Sequence, residues 1–227
     1  MKTLAVIPAR AGSKGIPKKN IISVGGKPLM AWTIESAFFA GVERVFVSSD
    51  SDEILEMAKK YGAETIRRPQ SLSGDKISSE SAIWHALDYL KKREKYVPDM
   101  AMLLQPTSPL RGSKDIKNAI KFLAKDKVAS ALISVCEADN KYLKSFLLDK
   151  NNYMHGVHND KFPFVSRQLL PKLYMPNGAI YIVRKEVFKR KSLFTKNTIP
   201  YVMPKERSVD IDTIEDIVIL EKYLRNM

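Results

Sequence analysis

The sequence predicts an α/β protein with a doubly wound, Rossmann-like sheet, mixed but mainly parallel, and one small inserted segment. Three observations carry that expectation. Short apolar runs, Leu4–Ile7, Val45–Val47 and Met100–Leu104, contain no polar residue, as strands buried on both faces do not. Between them lie stretches with apolar residues at helical spacing, Leu29–Phe39, one ending near Tyr61, and one from Ser78 to the charged run Lys91–Lys95. Gly41, Gly62 and Pro69 fall where such elements must end. Residues 1–227 are therefore read as one domain, with 137–176 inserted into it.

The first strand, Leu4–Ile7, stops at Pro8 and is followed by the loop Ala9–Asn20, ARAGSKGIPKKN. Arg10, Lys14, Lys18 and Lys19 alternate there with Gly12, Ser13 and Gly15, and no carboxylate interrupts them. Glycines let backbone N–H groups come close to an anion, and open α/β sheets bind ligands at the carboxyl ends of their strands. The loop is read as a polyphosphate cradle. It is not a Walker loop, because Gly12 and Gly15 have the wrong separation and Gly25-Gly26-Lys27 is followed by Pro28; the dinucleotide pattern is absent too. What remains points to nucleotidyl transfer, in which cations grip a nucleoside triphosphate.

Ile21–Val24 and a Gly25-Gly26 turn lead to Pro28, expected as the first helical residue of a helix through Phe39 that Gly41 closes. Val45–Val47 is the second strand, and Ser51 or Asp52 at its end caps the next helix. Asp50 and Asp52 as a metal pair is the weaker alternative, since any strand-to-helix junction shows such residues. Ala63–Ile66 is the third strand, and Arg67-Arg68 behind it add charge to the same mouth. Gln70–Ser79 is polar and turn-rich, and Ser78-Ser79-Glu80-Ser81 opens a helix with Ile83, Ala86, Leu87 and Leu90 on its apolar stripe. His85, inside it, is read as a surface or packed histidine without chemistry.

The fourth strand, Met100–Leu104, empties into Gln105–Arg111, QPTSPLR, whose two prolines fix a loop offering polar groups from Gln105, Thr107, Ser108 and Arg111. A rigid polar loop there suits a hydroxylated ligand, and Ser113 is expected to cap the helix Lys114–Ala124. After the strand Ala129–Val135, Glu137–Met175 shows scattered apolar residues and reads as a β-rich insertion for subunit contacts or a lid. Asn177-Gly178 opens a strand, Ala179–Val183, and Ile199–Met203 is expected at an edge. Val209–Asp212 is read as a last strand, where alternation puts Asp210 and Asp212 on one face, fit for Mg²⁺. Asp212 could instead cap the helix Thr213–Leu224.

Lys and Arg number 38 against 25 Asp and Glu, a formal charge of +13, which suits an anionic substrate but equally nucleic acid or an acidic membrane surface. The single cysteine, Cys136, excludes an internal disulfide and favours a reducing, cytoplasmic setting. No apolar run approaches the ~20 residues of a membrane span. The sheet aromatics that mark RNA-binding modules are missing, so a basic nucleic-acid-binding protein is the alternative from another class.

Ile7–Arg10 with Ser13–Gly15 and Asn20, Leu103–Arg111, Asn177–Tyr181 and Asp210–Thr213 occur in that order along nearly the whole chain. Together they make it similar to the acylneuraminate cytidylyltransferase family, the CMP-sialic acid synthetases and relatives acting on bacterial nine-carbon sugars. The resemblance implies a cytoplasmic homodimer that joins CTP to an acidic nine-carbon 2-keto-3-deoxy sugar with Mg²⁺ and releases pyrophosphate, without nucleic acid or membrane as partner. It implies that Arg10 and Lys14 grip the triphosphate, with Ala9, Gly12, Ser13 and Asn20 around the nucleotide, and that Arg68 and Ser79 recognise its base. Gln105, Thr107, Ser108 and Asn177 would face the sugar, joined by Lys144 and Arg167 lent across the dimer. Asp210 and Asp212 would hold the metal, and Asp210, with Arg10 and Lys14, would act in the chemistry. Many sialic acid synthetases of the family carry arginine before the Pro-Asn-Gly motif, where this chain has Met175; that departure suggests legionaminic acid, with the pseudaminate branch less expected. A nucleotidyltransferase for another sugar or a sugar phosphate is the nearer alternative.

Overall fold

The computed structural model describes residues 1–13, 15–74 and 77–225. Seven strands form one sheet: β1 Thr3–Pro8, β2 Arg44–Ser49, β3 Glu64–Arg67, β4 Met100–Leu103, β5 Ala131–Ala138, β6 Leu173–Arg184 and β7 Thr198–Val202. Their order is β3-β2-β1-β4-β6-β5-β7. β6 is antiparallel to β4 and β5, and the other neighbouring pairs are parallel. The helices are α1 Leu29–Phe39, α2 Asp52–Lys60, α3 Glu80–Glu94, α4 Ser113–Lys125 and α5 Ile214–Arg225.

β1 lies at the centre because both of its faces are apolar. Ala5 and Ile7 pack in one core with Met30 and Ile34 of α1, Ile54 of α2 and Ile116 of α4, while Leu4 and Val6 pack in the opposite core with Ile83, Leu87 and Leu90 of α3. Each such Leu or Ile stabilises the fold by ~1.5–3 kcal/mol relative to exposure. A third, smaller core joins Ile16 of the basic loop and Leu110 to Ile211 and to Ile217 and Leu220 of α5. This core pins three functional segments together.

Several local expectations change. Pro28 is extended, with φ −54° and ψ 141°, and belongs to the small hairpin Ser23–Val24/Lys27–Pro28, so α1 starts after it. The first residue of α4 is Ser113; its cap comes from Asp115, whose Oδ2 accepts from Gly112 N at 3.0 Å. Val209–Asp212 forms no strand: Ile211 N donates to Thr107 O at 2.8 Å instead of joining a ladder. Nor does Asp212 cap α5. Thr213 and Asp216 do so reciprocally, Asp216 Oδ2 accepting from Thr213 N at 2.8 Å and Thr213 Oγ1 from Asp216 N at 3.3 Å.

Within 137–176, the two ends of the segment continue β5 and β6. The remainder is an arm that is less β-rich than expected: one hairpin, Phe146–Leu148 with Met154–Gly156, and 3₁₀ turns at Asn140–Lys144, Phe162–Phe164 and Arg167–Leu169. Leu147, Leu148, Tyr153, Met154, Phe164 and Leu169 on it are all exposed. Among the described residues, no helix is long and apolar enough to cross a membrane.

Candidate functional site

The chain leaves β1 toward one edge of the sheet and β4 toward the other, so their carboxyl ends frame the crevice where such folds take ligands. A cavity of about 380 Å³ opens there.

The basic loop forms its first wall. Ala9 is buried, its N–H given to Ser48 O at 3.0 Å, and Ala11 N donates to Asp50 Oδ1 at 2.8 Å. Asn20 Nδ2 donates to Arg10 O at 2.9 Å, closing the loop on itself. Asp50 is thereby an anchor, while Asp52 pairs with Arg67 at 3.0 Å and Ser51 caps α2; the two aspartates do not act as a pair. Arg10, Gly12, Ser13 and Asn20 line the cavity. Lys18 does not. It takes a left-handed φ of 54° and turns its Nζ to Glu53 at 2.8 Å. Lys19, beside it, lines the cavity and donates to Ile211 O at 2.8 Å and Asp212 Oδ1 at 2.9 Å. Lys14 lies outside the described residues.

Arg68 and Ser79 form a second wall with Leu72, Gly74 and Ile77. Arg67 points away, toward Asp52 and Asp50 O, so only one of the two arginines charges the cavity. Arg68 is 5% exposed, and burial lowers its pKa, opposed by the charge of Asp50 and assisted by that of Arg10. Its Nε and Nη2 have no hydrogen-bond partner among the described residues.

The floor is the loop after β4. Gln105 Nε2 donates to Ser79 Oγ at 3.3 Å, and Gly178, at φ +74°, passes so close that a β-carbon there would lie 3.0 Å from Gln105 Oε1. Gln105 and Thr107 line the cavity, whereas Ser108 and Asn177 are buried behind it. Ser108 Oγ donates to Asn177 O at 3.3 Å, and Asn177 Oδ1 accepts from Ser134 Oγ at 2.6 Å. These two brace the floor. Arg111, expected to offer charge to a ligand, is fully buried and holds Gln105 O at 3.2 Å, Ala179 O at 2.8 Å and Thr33 Oγ1 at 2.7 Å. Burial lowers its pKa to about 9, so it remains charged at pH 7.

Asp210 and Asp212 face the cavity from the far side, although no strand alternates them. Buried Ile211 lies between them and turns both carboxylates outward. The Asp210 pKa is raised, chiefly by desolvation; a Thr107 hydrogen bond and Lys19 oppose this, and the charges of Asp212 and Asp216 add to it. A carboxylate held among like charges fits a divalent cation, and two carboxylates suffice for Mg²⁺, which fills its other positions with water and phosphate oxygens. Among the described residues, no group of three or more His, Cys, Asp or Glu side chains could form a cage made by protein alone.

Lys144 and Arg167 do not line the cavity of their own chain. Both belong to the arm, where Arg167 pairs with Asp139 at 3.2 Å. Met175, also outside the cavity, stands opposite Cys136 in the β5–β6 ladder. Lys19, one of the cations expected of the basic loop, takes its place in the cavity, whereas the apolar Leu72 and Ile77 are additions that residue spacing does not signal. Tyr181 on β6 does not line the cavity, but its phenol pKa is raised by burial and further by the charges of Asp210 and Glu80.

Residues 4–225 match the sequence model of the family described as Cytidylyltransferase. An N-acylneuraminate cytidylyltransferase of Streptococcus agalactiae serotype III is 38% identical over 96% of this chain; the chain spans about half, 52%, of that protein's length. A pseudaminic acid cytidylyltransferase of Campylobacter jejuni strain 81-176 is 34% identical, covering 96% of this chain and 94% of its own. A CMP-N,N'-diacetyllegionaminic acid synthase of Legionella pneumophila is 33% identical over 99% of this chain and 97% of its own. The solved structure of CMP:2-keto-3-deoxy-manno-octonic acid synthetase complexed with CTP shares the fold, with TM-score 0.74 and 17% identity over 100% of this chain and 99% of the other. The chain belongs to the cytidylyltransferase family.

Proposed function

We propose that this cavity activates an acidic nine-carbon sugar, a nonulosonic acid, with CTP to give the CMP-sugar and pyrophosphate. The observation that carries the reading is the meeting in one cavity of Arg10, Lys19 and Arg68 with Asp210 and Asp212, above a hydroxyl-matching floor at Gln105 and Thr107. Cations opposite paired carboxylates suit a triphosphate with a divalent ion better than they suit a nucleic-acid backbone.

In this reading, Arg10 and the glycine-lined loop hold the phosphates in line with the attacking hydroxyl, and Lys14 joins them from the same loop. Arg68 and Ser79 contact the base. Gln105 and Thr107 orient the sugar. Its anomeric hydroxyl attacks the α-phosphorus, the bond to the β-phosphate oxygen breaks, and pyrophosphate leaves with that electron pair. Asp210, more basic than an ordinary carboxylate, accepts the hydroxyl proton. Asp210 and Asp212 would hold Mg²⁺, which when bound neutralises phosphate charge.

The chain acts in the cytoplasm as a homodimer, paired through the exposed apolar arm, with Lys144 and Arg167 reaching the partner's cavity. Relatives acting on three different nonulosonic acids match at 38%, 34% and 33% identity, so identity gives legionaminic acid no preference over pseudaminic acid. The test is pyrophosphate release with CTP, Mg²⁺ and each of N-acetylneuraminate, pseudaminate and N,N'-diacetyllegionaminate. Turnover with at least one acid, and none with UTP or a sugar phosphate, is expected. Release with a sugar phosphate alone, or with none of the three acids, would overturn the reading.

A further inference from the structure

Beside the cavity that Arg68 lines, Arg68 and His85 lie close enough for their charges to interact, and the chain buries several polar atoms that find no hydrogen-bond partner among the described residues, among them Arg68 Nε and Nη2 after β3, His85 Nδ1 and Ser81 Oγ on α3, and Ser48 Oγ on β2. Such atoms are costly when left unmatched, so they ask for an explanation. Here donors and acceptors complement one another. A guanidinium can only donate, a neutral imidazole nitrogen accepts, and the hydroxyls do either. Ser81 and His85 are one helical turn apart, on one face of α3. Arg68 is fixed on the other side through its own N–H to Ser49 O at 2.7 Å.

We infer that His85 is a positioning residue for Arg68: its neutral imidazole supplies the acceptor that orients the guanidinium toward the nucleotide, and protonation of the ring withdraws that acceptor. The link is direct after a small side-chain rotation or passes through a bridging water, for which the hydroxyls of Ser48 and Ser81 complete the polar lining. His85 stays neutral near pH 7 because burial lowers its pKa and Arg68 lowers it further; Asp88 on the same helix opposes this and is itself paired with Lys191 at 2.8 Å. Arg10 and Asp50 are the other charges that face Arg68. Once the ring is charged, two cations share one buried wall. CTP affinity then falls with pH through the imidazole range, below the ordinary value of ~6.5.

The inference rests on Arg68 as a nucleotide contact, and the experiment separates the two claims. Calorimetric CTP affinity in Mg²⁺ is measured at pH 8.0 and pH 5.5 for the wild type, His85→Asn, His85→Leu and Arg68→Lys. The γ-phosphate titrates in the same window, so the readout is wild type relative to His85→Asn at each pH. Asn keeps a neutral acceptor near the Nδ1 position and should bind within about twofold of wild type at pH 8.0, while the wild type loses ~3–10-fold more affinity than Asn on acidification. His85→Leu should bind ~10-fold more weakly at both values. Equal pH dependence of wild type and Asn, with Arg68→Lys impaired, overturns the role of His85 alone. Unimpaired binding by Arg68→Lys overturns the nucleotide contact itself. Should His85→Leu not fold, the wild type and Asn comparison still decides.

Discussion

Gly15 lies so near the backbone of Asp212 that a β-carbon on it would come within 2.3 Å of the Asp212 carbonyl oxygen. The basic loop and the acidic segment, about two hundred residues apart in sequence, therefore meet backbone to backbone, and the Lys19 bonds to Ile211 O and Asp212 lock that meeting. Gly15→Ala must push the two apart. It should cost ~1–3 kcal/mol of stability and lower CTP-dependent turnover more than tenfold, read by urea denaturation and pyrophosphate release. Wild-type turnover in the variant would show that this spacing does not matter.

Asp210→Asn separates charge from shape. Because the folded protein raises the Asp210 pKa, the ionised carboxylate opposes folding: its contribution is favourable below the ordinary carboxyl value of ~3.9 and is lost as pH rises through the carboxyl range. Asn should therefore melt at the same temperature or higher at pH 7.5, while turnover drops ~10²–10⁴-fold. A variant that keeps full activity would remove Asp210 from the chemistry.

Arg111 should behave as a structural residue. Arg111→Met leaves Gln105 O, Ala179 O and Thr33 Oγ1 without their shared donor, and ~3–5 kcal/mol should be lost in urea unfolding. Arg111→Lys should recover only part, because an ammonium cannot span the same fork. Loss of activity at unchanged stability would instead argue for a ligand contact.

The arm should control assembly. Leu148→Glu places a charge in the exposed apolar hairpin and should weaken self-association more than ~100-fold, giving a monomer in sedimentation with the far-UV spectrum unchanged. If Lys144 and Arg167 serve the partner's cavity, turnover falls in parallel. A fully active monomer would leave those two residues without a role in the site.

The centre of the sheet was legible because β1, β2 and β4 are buried on both faces and glycine or proline lies near their ends, a pattern set by local burial. The edge position expected for Ile199–Met203 matches β7, and Gly41 and Gly62 take φ of +80° and +83° just past the helices that they end. Side-chain direction was less legible. Lys18, Arg67 and Arg111 look equivalent to Arg10 and Arg68 as sequence, yet Glu53, Asp52 and a set of carbonyls claim them, and those partners are fixed only once the chain has folded. The acidic pair came out on one side for a different reason than strand alternation. Ile211 is drawn into a core with Ile16 and Leu220, and its neighbours are turned outward by that burial.

β6, twelve residues long, begins among the exposed residues of the arm and runs on through the core, shifting register between Pro176 and Tyr181, where it brushes Gln105. One continuous rod thus couples the outermost appendage to the cavity floor, with a single soft joint beside the place where a sugar would rest. A tug on the appendage has no slack linker in which to dissipate, and its first opportunity to yield is at that joint.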